Sequence, residues 1–97
     1  MEPGSDRPEY ETEITRAAER DLEKLTKADR RAATKIVEAI LGLSDDPRHR
    51  RVEKLAGQEN RYRVRSGDHR VIFSIDDDRR IVTIEAIGNR RDIYRDL

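Results

Sequence analysis

Apolar residues recur at two periods along the chain, and each period predicts an element. From Arg61 to Arg65 they alternate with polar ones, Gly67-Asp68 interrupts the pattern, and the apolar run Val71-Ile72-Phe73 follows. Period-two alternation predicts strands, and a Gly-first pair suits a two-residue type II′ turn. That turn sets Ser66 opposite His69, Arg65 opposite Arg70, Val64 opposite Val71, Arg63 opposite Ile72 and Tyr62 opposite Phe73. One face of the hairpin then carries Tyr62, Val64, Val71, Phe73 and Ile75 as core, and the other carries Arg63, Arg65 and Arg70. Two arginines directly across a ladder are mildly destabilising. Either solvent screens them, or the face exists to meet something anionic.

The same reasoning places the remaining elements. Ile81 to Ile87 predicts a further strand, and a loop of Asp77 to Arg80 sets Val82 opposite Ile75, Ile84 opposite Phe73 and Ala86 opposite Val71. Thr83, Glu85 and Ile87 then join the arginine face, with Glu85 placed to neutralise Arg70 in part. Glu9 to Ile14 predicts a short strand at the sheet edge. Thr15 is an N-cap candidate for a helix over Arg16 to Leu25, with Ala18, Leu22 and Leu25 on one stripe. A second helix starts near Ala28 or Asp29, after a link of about three residues near Lys27. Its stripe is Ala33, Ile36, Val37, Ile40 and Leu43, and Ser44-Asp45-Asp46 and Pro47 end it. Arg48 to Asn60 reads as a loop anchored by Leu55, and the tail leaves the sheet at Gly88 for a turn or one loose helical turn. Residues 1–8 read as a flexible leader, and residues 9–97 as one domain. The order is β-α-α-β-β-β. It predicts an α+β fold in which a two-helix hairpin packs on one face of a mostly antiparallel four-stranded sheet. The opposite face is expected to be open, with Arg63, Arg65 and Arg70 across it and Arg90 and Tyr94 at its edge.

Composition narrows the chemistry. With 43% charged and 34% hydrophobic residues in 97, the chain can fill one modest core. No cysteine is present, which excludes a disulfide framework and a thiolate metal site. No metal site is indicated, because His49 and His69 have no carboxylate constellation around them in the sequence. No apolar run is long enough to cross a membrane, and no signal peptide is visible, so a cytoplasmic location is expected. The net charge is zero, yet residues 1–47 carry −4 and residues 48–97 carry +4. Of the 21 basic residues, 17 are Arg, the side chain suited to bidentate phosphate contact and to stacking on bases. An arginine-rich strand half suggests a nucleic-acid partner.

These pieces resemble the RelE toxins of the RelE/ParE superfamily, the toxic halves of bacterial toxin–antitoxin pairs. The resemblance runs from Tyr10 onward. It is carried by Ala17-Ala18-Glu19-Arg20-Asp21-Leu22, Asp46-Pro47, Lys54-Leu55-Ala56-Gly57, the hairpin Tyr62 to Phe73, and Ile87-Gly88-Asn89-Arg90-Arg91-Asp92-Ile93-Tyr94. It implies a ribosome-dependent endoribonuclease that cuts messenger RNA in the decoding site with no metal or other cofactor. A ribose 2′-OH would attack the adjacent phosphate, leaving a 2′,3′-cyclic phosphate and a 5′-OH. By the same resemblance the catalytic set is Arg63, Arg65, Arg70, Arg90 and Tyr94. The first three would stabilise charge on the phosphate, Tyr94 would act as general base, and Arg90 would stabilise the leaving 5′-oxygen. Where family members often have Lys on the first hairpin strand, both positions here are Arg. Arg61, Lys54, Arg91 and Arg95 are candidates for further RNA contacts. The implied partners are a RelB-like antitoxin, the ribosome and its message, and DNA only indirectly, through the antitoxin. Two other readings share the fold: a ParE-like inhibitor of DNA gyrase, and an inactive toxin fold that only binds its antitoxin.

Overall fold

The computed structural model of the chain describes residues 10–89. The elements are β1 (Glu11–Ile14), α1 (Arg16–Ala28), α2 (Arg30–Asp45), β2 (Glu53–Lys54), β3 (Arg61–Ser66), β4 (His69–Asp76) and β5 (Ile81–Asn89). The sheet has five strands in the order β1-β5-β4-β3-β2, one more than expected, and only the β1–β5 pair is parallel. The extra strand is β2, a two-residue edge inside the segment expected to be all loop. Neither helix is long and apolar enough to cross a membrane.

The helices start where the sequence supplies caps. Thr15 ends β1, donating its amide to the Ile84 carbonyl at 3.0 Å. Its hydroxyl accepts from the Ala18 amide at 3.1 Å, satisfying one orphan donor of α1. The link between the helices is shorter than expected, because Asp29 does both jobs. Its amide closes α1 on the Leu25 carbonyl at 2.7 Å, and its carboxylate caps α2 at the Ala32 amide at 3.1 Å.

The main core lies between the helices and one sheet face. Ala18, Ile36, Ile40 and Leu43 meet Val64, Val71, Phe73, Ile75, Val82, Ile84 and Ile87 there. Val37 departs from its expected place. It sits about 100° around the helix from Ile36 and remains 40% exposed.

The β3–β4 hairpin has the expected register at every pair, from Ser66↔His69 to Tyr62↔Phe73. Gly67 has φ +62°, which a Gly-first turn requires. The β4–β5 register holds at Ile75↔Val82 and Phe73↔Ile84, then slips. Glu85 is an extra residue in β5, a bulge, so Ala86 faces Ile72 and Ile87 faces Val71. The expected assignments of Ala86 to the core and Ile87 to the arginine face are therefore exchanged. Ile87 is 4% exposed in the main core, where it buries more apolar surface than Ala86 would. The bulge lies where β1 stops alongside β5. There the Thr15 hydroxyl donates to the Glu85 carbonyl at 3.3 Å, and the Asp21 carboxylate on α1 accepts the Ile87 amide at 3.1 Å.

The face expected to be open is partly covered. Leu55 anchors the chain as expected, but it packs with Ile72 and Ala86 in a second small cluster on the side away from the helices. That cover turns a flat arginine face into a cleft.

Candidate functional site

Side-chain alternation along β3 sends Arg61, Arg63 and Arg65 to the face away from the helices, and the β4 register adds Arg70 directly across from Arg65. Arg70 is only 6% exposed. It lies on a central strand between Arg65 and Gly88, and Gly88 has no side chain to displace it. Its guanidinium makes no hydrogen bond or ion pair with any of the described residues. A buried cation without a partner costs several kcal/mol, on the order of what desolvating one ion requires.

Arg63, Arg65 and Arg70, three of the candidates read from the sequence, come together as the wall of a cleft of about 530 Å³. Sequence reasoning missed three further lining residues: Arg50, Arg51 and Glu53. The run Arg48-His49-Arg50-Arg51 was visible as a basic cluster, but it has no periodicity to assign it a face. Glu53 stands opposite Arg63 in the β2–β3 ladder, and its Oε1 lies 2.7 Å from both Nε and NH2 of Arg63. Five guanidiniums thus share the cleft with one carboxylate. Such an array can bind phosphate oxygens through charge-assisted, partly bidentate bonds. It also supplies preorganised cations wherever negative charge grows on a phosphorus centre.

The other candidates separate from this group. Arg61 points to the same face, but its Nε lies 2.9 Å from Glu85 Oε1 and its NH1 donates to Gln58 Oε1 at 3.2 Å. Glu85 therefore pairs with Arg61, and the expected neutralisation of Arg70 does not occur. The pair is close but poorly aligned, since Glu85 Oε1 is buried and accepts no well-directed hydrogen bond. Lys54 is opposite Tyr62 in the ladder, which assigns it to the helix side, away from the cleft. Arg90, Arg91, Tyr94 and Arg95 lie outside the described residues, as does the leader. The last described residue, Asn89, pairs with His69, one step along the ladder from Arg70.

A second polar network sits beyond the cleft and ties the fold together. Arg48 NH1 and NH2 each donate to one carboxylate oxygen of Asp77 at 2.9 Å, and the Tyr10 hydroxyl donates to the same carboxylate at 2.7 Å. The Arg48 guanidinium stacks over the Tyr62 ring at 5.4 Å, and Tyr62 stacks on Phe73 at 5.9 Å. Hydrogen bonding from Arg48 first, and from Tyr10 second, holds the Asp77 carboxyl below the usual carboxylate range. The hydrogen bond to Asp77 raises the Tyr10 phenol above its ordinary value. These groups join β1, the segment before β2 and the β4–β5 turn. Among the described residues no group of three or more His, Asp or Glu side chains is placed to hold a metal ion.

Comparison with known proteins agrees with this geometry. The family profile described as the ParE toxin of the type II toxin–antitoxin system parDE matches residues 12–94. The RelE toxin of Mycobacterium tuberculosis strain H37Rv is 37% identical over 93 residues, covering 94% of this chain and 92% of that protein. The toxin in the crystal structure of the RelBE2 toxin–antitoxin complex from the same species superposes with a TM-score of 0.72 at 32% identity, over 90% of this chain and 97% of that one. The archaeal RelE–RelB complex from Pyrococcus horikoshii gives a TM-score of 0.70 at 28% identity, over 87% and 98% of the two chains. A family match across most of the chain, together with the shared fold, leads to one conclusion: the chain belongs to the RelE/ParE family of toxins from type II toxin–antitoxin systems.

Proposed function

We propose that this toxin is a ribosome-dependent endoribonuclease that cleaves messenger RNA in the decoding site. The observation that carries the reading is Arg70, a buried guanidinium with no anion among the described residues, on the wall of a cleft shared with Arg63 and Arg65. A phosphodiester is the anion such a site suits, because guanidinium donors match phosphate oxygens in both charge and geometry.

The chemistry follows from those residues. The 2′-OH of one nucleotide attacks the phosphate on its 3′ side. An O2′–P bond forms, the P–O5′ bond breaks, and the products are a 2′,3′-cyclic phosphate and a 5′-OH. Arg63, Arg65 and Arg70 stabilise the extra charge on the phosphate oxygens in the pentavalent transition state. Tyr94 takes the 2′-OH proton as general base. Arg90 stabilises the departing 5′-oxygen by charge, because an arginine does not release its proton near neutral pH, and that oxygen takes its proton from solvent to become the 5′-OH. A RelB-like antitoxin is the proposed protein partner, as in the relatives solved in complex with theirs, and promoter DNA is reached only through it.

A second reading, inhibition of DNA gyrase, is favoured by the ParE description of the matching family profile. Induced expression in a bacterial host, with mapping of messenger-RNA 5′ ends, separates the two. Cuts inside translated codons that vanish with Tyr94→Phe or Arg70→Ala are expected. Growth arrest with intact messages and an induced DNA-damage response would transfer the assignment to gyrase.

A further inference from the structure

The cleft holds more positive charge than one phosphate can use. A phosphodiester carries a single negative charge, whereas five guanidiniums face one carboxylate here. That carboxylate, Glu53, is already engaged by Arg63 at 2.7 Å. Arg65 and Arg70 are cross-strand partners and together suit one phosphate. Arg50 and Arg51 line the same cleft but come from a different element, the turn between α2 and β2.

That turn is built, not slack. The His49 amide donates to the Asp46 carbonyl at 3.3 Å, and the Val52 amide donates to the His49 carbonyl at 2.9 Å. The His49 ring accepts the Arg51 amide on Nδ1 at 3.1 Å, holding the backbone that bears the two arginines. Neither Arg50 nor Arg51 makes an ion pair with a described residue. Two exposed, adjacent guanidiniums on a hydrogen-bonded turn, aimed into a cleft whose one acid among the described residues is taken, are arranged for a second anion.

We propose that Arg50 and Arg51 form a second phosphate subsite, which holds a backbone phosphate of the same single-stranded RNA next to the one bound by Arg65 and Arg70. The subsite rests on the ribonuclease reading and extends it, since it makes the cleft a track for consecutive phosphates. It sets the path of the strand past the scissile bond and adds affinity without reading sequence, as contacts to the phosphate backbone do.

Counterion release gives the test. For single-stranded nucleic acid, each neutralised phosphate adds about 0.7 to the slope of log affinity against log salt. The probe is a short fluorescent RNA with 2′-O-methyl riboses, which cannot be cleaved, titrated against the full chain by anisotropy between 50 and 200 mM salt. The double variant Arg50→Ala/Arg51→Ala is expected to lower the slope by about 0.7, the share of one phosphate, so that its affinity falls roughly 2.6-fold less than the wild type's across that salt range. Arg50→Lys/Arg51→Lys, which keeps the charges, is expected to restore most of the slope. A double alanine variant with unchanged slope and affinity, while Arg70→Met loses binding, would overturn the subsite and leave the ribonuclease reading intact. A wild type that binds the RNA without any salt slope, or not at all, would overturn both. If the alanine pair weakens binding of a poly-glutamate peptide but not of RNA, the two arginines serve an acidic protein segment and the proposal fails.

Discussion

Replacing Arg70 with methionine should make the protein more stable while weakening its binding of anions. Arg70 is 6% exposed and has no partner among the described residues. Replacing buried ionic groups with apolar ones of similar volume often stabilises a protein by about 1–4 kcal/mol. The guanidinium lines a solvent-filled cleft, so part of that penalty is relieved and the lower half of the range applies. Removing the like charge opposite Arg65 adds roughly 0.2–1 kcal/mol. Methionine keeps the aliphatic stem beside Ile72 and leaves no large void, which alanine would. The sum, about 1.2–3.5 kcal/mol, should raise the urea midpoint by roughly 0.6–1.7 M at an unchanged m of about 2 kcal/mol per M. It should raise Tm by about 4–8 °C per kcal/mol for a domain of this size. Inorganic phosphate should raise the Tm of the wild type, because a ligand that binds only the folded state stabilises it. It should raise the variant's Tm less, since the Arg65–Arg70 pair is lost and only the Arg50–Arg51 subsite remains. A variant destabilised by 1 kcal/mol or more on this scale would refute the reasoning, since the guanidinium would then be a satisfied part of the fold.

Three other perturbations probe different layers. Ile87→Ala should cost about 2–4 kcal/mol by urea denaturation, because the bulge at Glu85 buries Ile87 in the main core; the unbulged register would make the same change nearly silent. Glu53→Gln removes the one carboxylate that lines the cleft among the described residues and should tighten phosphate binding roughly two- to five-fold by calorimetry, the scale of an exposed ion pair; weaker binding would show that Glu53 mainly orients Arg63. Asp77, whose folded pKa is depressed by Arg48 and then Tyr10, contributes stability that is present above its unfolded pKa and is lost as pH falls through the folded one. The stability gap between wild type and Asp77→Asn should therefore be open at neutral pH and close below about pH 4; a gap independent of pH would exclude the Arg48–Asp77 linkage.

Different residues carried different amounts of this in the sequence. The hairpin from Arg61 to Ser74 was legible down to its pairs, because Gly67-Asp68 fixes the turn and a period of two fixes the faces. The cap Thr15 was legible for a similar reason, since a short polar side chain before an amphipathic run has one local use; Asp29 was read only as a possible helix start, and its double capping role emerged in the structure. The bulge was not. Ala86 and Ile87 are both apolar, so either parity satisfies the pattern, and the choice depends on which side chain the helices can bury. The strand Glu53–Lys54 was hidden because two residues show no period. Arg50 and Arg51 were hidden because a turn assigns no face.

Local pattern thus determined both helices, every strand but Glu53–Lys54, their order, the α+β class and the alignment of Arg63, Arg65 and Arg70 on one face. Those follow from turn chemistry and periodicity, which act over a few residues. Tertiary structure alone decided that Arg70 is buried with no partner among the described residues, that Glu85 serves Arg61, and that Arg50, Arg51 and Glu53 line the cleft. These outcomes depend on distances between segments far apart in the chain: Leu55 folded over Ile72, Gly88 beside Arg70, and Glu53 laddered to Arg63. Burial and charge pairing are properties of that assembled neighbourhood, and no single stretch of sequence contains it.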